Sequence, residues 1–177
     1  MRRENQTVKR CRRQMKLLGY EEDSPYHKAK KLLKIYRDVA WSLSERSEEL
    51  WDYAYEMGEH DLGAGLCYLA EFAPDVDIEE FEYRVCCVME SKMLIEVVDR
   101  ALLRLRNYPN RGELYHEILS KQFINRFKYT ETEMLEALNM ERSVFYDRKK
   151  EAMHLFAVCL FGYTIPELRG VSSQIPA

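Results

Sequence analysis

A chain of 177 residues, 46% of them hydrophobic, is long enough for one large domain or two small ones, and apolar enough to bury a core. No apolar run approaches the ~20 residues that a membrane span needs, and no apolar core follows the basic start, so neither a membrane protein nor a signal peptide is expected. The formal net charge of −3 conceals an asymmetry: residues 1–37 carry twelve Lys/Arg against four Asp/Glu, residues 38–110 six against seventeen, and residues 111–177 nine against nine.

Strand-like alternation is nearly absent, which predicts an all-α fold, a helical bundle with long central helices. Residues 1–23 read as a basic N-terminal arm, mobile or loosely helical, broken at Gly19. It would either touch phosphates or dock on the acidic middle of the chain. Ser24 and Pro25 supply an N-cap and a first helical residue. From there Leu32, Leu33, Tyr36, Val39, Ala40 and Leu43 recur at helical spacing, and the pattern continues to Gly58 as one long helix or as two joined near residues 42–47. Trp41 and Trp51 would border a single packing face. A short helix over 61–72 carries Gly63, Ala64 and Gly65, which permit a close helix neighbour. Asp77 and Glu80 resemble a capping box and open a helix reaching about Asn107. Its stripe includes Phe81, Val85, Met89, Met93, Val98, Leu102 and Leu105. A helix of roughly 30 residues spans about 45 Å and serves as a spine or as a dimer strut.

A turn over 108–112 leads to a helix over 113–127, with Leu114, Ile118, Leu119, Phe123 and Phe127 inward. Thr130 and Glu133 then form a T-x-x-E capping box, and Met134, Leu135 and Leu138 follow at helical spacing. Asn139 tolerates a left-handed backbone, so a second helix should begin near Glu141 or Arg142. A short capped helix, a tight turn and a longer helix read as helix-turn-helix. At about 100° per residue, Val144, Phe145, Arg148, Ala152, Leu155 and Phe156 fall inward, the Arg148 head reaching water. Arg142, Ser143, Tyr146, Lys149 and Lys150 fall outward. That basic, aromatic and hydrogen-bonding face suits a DNA major groove; as a bundle helix it would simply be a solvated face. Beyond Phe156 the chain is apolar enough to be buried against the bundle or a second subunit.

The segment from Leu138 to Tyr146, with Arg148 to Ala152 after it, resembles the helix-turn-helix of sigma-70 region 4. It is closer still to small phage and prophage regulators of the ArpU/RinA type. The match covers roughly residues 100–162. Asn139 stands where that family usually has Gly, and Glu141 where a Ser or Thr caps the recognition helix. The resemblance implies a sequence-specific transcriptional regulator in the cytoplasm of a bacterial host cell, with double-stranded DNA as its partner, RNA polymerase as a further one, and a monomer or homodimer as its form. Arg142 and Tyr146 would approach base edges, with Ser143, Lys149 and Lys150 on phosphates.

The domain reading is then an arm (1–23), a helical domain (24–107), a DNA-binding domain (108–170) and a tail (171–177). No catalytic motif occurs: there is no Walker loop, no G-x-S-x-G and no H-E-x-x-H. The five cysteines (Cys11, Cys67, Cys86, Cys87 and Cys159) contain no C-x-x-C, and the four histidines are scattered. No enzyme activity, cofactor, metal or disulfide framework is expected, and reduced thiols acting as small core hydrophobes fit best. Two other functions share the pattern. A small terminase subunit of a phage packaging machine would form a ring, and a helical adaptor would bind protein rather than DNA.

Overall fold

The computed structural model describes residues 5–21, 23–56 and 78–172, with side chains at 5–21, 23–44 and 91–168. The described residues are helical throughout, with turns between: α1 (Gln6–Leu17), α2 (Ser24–Glu56), α3 (Ile78–Arg106), α4 (Gly112–Leu119), α5 (Glu131–Leu138), α6 (Arg142–Ala157) and α7 (Ile165–Ser172). The fold is all-α. Two stretches wind more widely, as π-helix: Ser120–Ile124 continues α4 and Val158–Thr164 continues α6. The expected helix over 61–72, its small residues and the Asp77 cap lie outside the described residues. So do Gly58 and the side chains of Trp51, Cys67, Cys86 and Cys87.

The chain divides into two compact units. One combines Met1–Arg37 with Glu96–Ala177; the other is Asp38–Ile95. In the second unit α2 runs unbroken past residues 42–47, a single helix to Glu56. Trp41 there is 65% exposed and Met93 is also exposed, so neither joins a core among the described side chains.

The first unit has a buried core among the described residues. Ala29, Leu33 and Tyr36 of α2, with Val98, Ala101, Leu102 and Leu105 of α3, are buried in it. The Tyr36 hydroxyl donates to the Asp99 carboxylate at 2.8 Å. The N-terminal segment is a packed helix. Asn5 caps α1, its side chain accepting from the Thr7 amide at 3.0 Å. Val8, Cys11 and Met15, spaced at three and four, are buried against α6 and its π continuation. Gly19 ends the helix in a left-handed conformation (φ 85°), and the Tyr20 amide bonds back to the Met15 carbonyl at 3.1 Å. That wrap-around bond needs a residue with no steric penalty at positive φ.

Two of the α1 arginines are engaged within this unit. Arg12 reaches the Asp23 carboxylate at 2.8 and 2.9 Å, and Arg10 donates to the Tyr108 hydroxyl. Asp23, with φ 61°, occupies the position before α2, so Ser24 and Pro25 both lie inside the helix rather than at its cap and first residue. Arg12 holds that side chain while the Asp23 carbonyl accepts from the His27 amide.

Between α3 and α4 the chain comes very close to itself. A Cβ on Gly112 would lie 2.5 Å from the Arg106 carbonyl oxygen and 2.6 Å from that of Leu105, so only glycine fits there. The buried thiols of Cys11 and Cys159 are pushed up by desolvation, to about 11 and about 12, as befits small core side chains with little thiolate at neutral pH. Among the described residues no helix is long and apolar enough to cross a membrane.

Candidate nucleic-acid interface

Local chemistry sets the ends of α5 and the start of α6. The Thr130 hydroxyl accepts from the Glu133 amide at 3.3 Å, and the Glu133 carboxylate accepts from the Thr130 amide at 2.7 Å. This closed box starts α5, and the Thr130 amide, with the Thr130 hydroxyl that also donates to the Glu133 carboxylate at 2.8 Å, holds the Glu133 carboxyl below the usual glutamate value. Asn139 takes the left-handed conformation (φ 47°, ψ 53°). The Met140 amide then bonds to the Leu135 carbonyl and the Asn139 amide to that of Glu136, the hydrogen-bond pair of a Schellman ending. Two residues later α6 begins at Arg142. Glu141 occupies the cap position without a side-chain bond to the helix. One buried residue from each helix closes the core beneath the turn: Ile118 of α4, Met134 of α5 and Phe145 of α6. Leu114, Tyr129, Leu135 and Leu138 pack around them.

The outward face of α6 divides along its length. Arg142, Ser143, Tyr146 and Lys150 are exposed and Lys149 is half-buried. From Glu151 to Leu160 every residue is buried, because α1 lies on the side that would otherwise be polar and Tyr26 stacks on His154 with ring centroids 4.5 Å apart. The surface left open is thus the first half of the second helix, the part that faces base edges when such a helix enters a major groove.

Within that surface Arg142 is 72% exposed, and its Nε pairs with the Glu131 carboxylate at 2.6 Å. The Tyr146 hydroxyl donates to the same carboxylate at 2.8 Å. Glu131, at the start of α5, therefore holds both groups, and sequence spacing alone did not bring it forward. An ion pair this exposed is worth about 0.2–1 kcal/mol, so Arg142 can exchange it for another acceptor. The Lys149 ammonium lies over the rings of Phe145 and Tyr146, at 5.9 and 5.7 Å from their centroids. Partial burial, then the nearby Lys30 ammonium, hold it below the usual lysine range.

Three inward assignments change. Val144 is 39% exposed, at the edge of the open face. Phe127 is 75% exposed: the chain leaves its helix at Asn125, whose amide closes a π turn on the Ser120 carbonyl, and bends over 125–127. With Lys128, Tyr129 and Glu133 it lines an open hollow beside α5. The Arg148 head does not reach for water alone but bonds both oxygens of Glu151 at 2.7 and 2.6 Å.

Glu151 is 2% exposed and also accepts from the Tyr115 hydroxyl at 2.8 Å and from the Asn5 amide group. Burial pulls its carboxyl upward, but the Arg148, Tyr115 and Asn5 hydrogen bonds outweigh that, and it lies below the ordinary glutamate value. Glu151 consequently takes no part in the surface field. Among the described residues no group of three His, Cys, Asp or Glu side chains is placed to hold a metal. Comparisons with protein-family models, curated proteins and solved structures find no match to this chain.

Proposed function

We propose that this chain is a sequence-specific DNA-binding transcriptional regulator of the phage or prophage type, with α6 as its recognition helix. The observation that carries the reading is the open face at the start of α6. Arg142, Ser143, Tyr146 and Lys150 are exposed there, just after the capped helix α5 and the left-handed turn at Asn139, while Glu151 to Ala157 of α6 are buried. Arg142 offers a planar fork of donors suited to the acceptor edge of guanine, the commonest specific contact in the major groove. Tyr146, one turn further on, offers a ring to a thymine methyl and a hydroxyl to a base edge or phosphate. Ser143, Lys149 and Lys150 flank the pair and are suited to phosphates. The likeness of Leu138 to Ala152 to sigma-70 region 4 supports promoter DNA as the target and RNA polymerase as a neighbour on it.

Selection of bound duplexes from a random pool tests the proposal directly, by yielding a consensus. Titration against that consensus then tests the residue assignment. Arg142→Ala should weaken binding by about 1–3 kcal/mol and relax the preference at one base pair. Unchanged affinity and unchanged preference in a band-shift titration would remove Arg142 from the recognition surface.

A further inference from the structure

The positive surface does not end with the helix-turn-helix. Lys30 and Lys34 lie four residues apart on α2, and Arg37 shares their side of the helix. The Arg37 guanidinium donates to the carbonyls of Asn125 at 2.7 Å and Gln122 at 3.1 Å. Those carbonyls stand at the end of the π turn, so Arg37 ties α2 to the segment that carries Lys128. Lys149 of α6 has Lys30, Lys128 and Lys34 among its charged neighbours, with the acid Glu131. Lys30 and Lys149 each rest over aromatic rings, Lys30 over Tyr26 at 6.0 Å.

Among the described residues no carboxylate pairs with any of these four lysines. The nearby acid, Glu131, is engaged by Arg142 and Tyr146. Ammonium groups gathered from three segments repel one another in the free protein, and a polyanion relieves that repulsion.

We propose that Lys30, Lys34 and Lys128 continue the Lys149 surface into a phosphate-binding track, so that a DNA duplex seated on α6 is also gripped along its backbone by α2. The inference rests on the DNA-binding reading and assigns contacts outside the helix-turn-helix. Each phosphate neutralised lowers the slope of log affinity against log salt by about 0.9.

The test uses the full chain and a short mixed-sequence DNA duplex, with anisotropy titrations between about 50 and 200 mM salt. Lys30→Gln with Lys34→Gln is compared with Lys28→Gln and Lys16→Gln, a pair with the same charge change, Lys28 lying about 160° round α2 from Lys30 and Lys16 on α1, neither among the charged neighbours of Lys149. The first pair should make the salt slope shallower by about 1.8, and the second should leave it near that of the unaltered chain. Equal slopes for the two pairs, changed or unchanged, overturn the track and leave the helix-turn-helix reading standing. Failure of the unaltered chain to bind the duplex at low salt overturns both. Salt-sensitive self-association in sedimentation, alongside that failure, would assign the lysines to an acidic surface of a second copy.

Discussion

Arg148 and Glu151 show how one side chain can change meaning between sequence and structure. By helical angle Arg148 belongs to the inward face, with its charged end in solvent. In the folded chain that end is one half of a pair whose other half is almost completely enclosed. The pair joins three parts of the chain, since Tyr115 of α4 and Asn5 at the start of α1 bond the same carboxylate. Removing Arg148 leaves a buried carboxylate with two neutral donors, and Arg148→Ala should cost about 3 kcal/mol in urea unfolding at neutral pH. The pH dependence has a definite sign. Because the folded Glu151 carboxyl lies below its unfolded value, its contribution is complete above the ordinary glutamate pKa of about 4.3. It is lost as pH falls from there through the lower folded value. Unfolding curves measured over that interval should converge for Arg148→Ala and the unaltered chain, and diverge again on return to neutral pH.

At the scale of elements, what the sequence makes legible is whatever neighbours in the chain decide. Thr130 with Glu133 and the left-handed Asn139 depend on bonds spanning three to five residues, and both appear as their residue types require. The boundary at Arg142 follows from them. Phe127 and Val144 do not, because each depends on something the period cannot show. For Phe127 that is a π turn and the Arg37 bonds that hold its final carbonyls; for Val144 it is the edge of the packed face. The turn itself makes a sharp prediction. Asn139→Ala places a Cβ without a compensating polar group at φ 47° and should destabilise by about 1 kcal/mol. Asn139→Gly should hold or raise stability, since glycine has no such penalty. Thermal melts of the two variants, compared by circular dichroism, read the difference.

For the molecule as a whole, the first compact unit is made from both ends of the chain. Residues 1–23 read as a basic arm because their charge is conspicuous, whereas 6–17 form a packed helix. The three apolar residues that decide their packing, Val8, Cys11 and Met15, are few and scattered among lysines and arginines. Their destination, the later half of α6, lies more than a hundred residues away, and no local pattern announces a partner at that distance. The sustained spacing, in contrast, points to both long helices, though for α2 it leaves open one helix or two, and the chain forms one. Deleting residues 1–17 should uncover Glu151, His154 and their neighbours. It should also forfeit about 2 kcal/mol for each of three buried side chains, before the entropy recovered by the freed segment. The truncated chain should melt at a markedly lower temperature and with a broader transition, whereas a dispensable arm would leave the melt unchanged.

The division of the first unit between Met1–Arg37 and Glu96–Ala177 also has a consequence for biosynthesis. As the polypeptide leaves the ribosome, α1 lacks its contacts with α6 until α6 has emerged as well. During that interval Val8, Cys11 and Met15 are open to chaperones and proteases. Assembly of this unit is therefore completed after translation of α6, and a chain stalled before that point carries its first helix undocked.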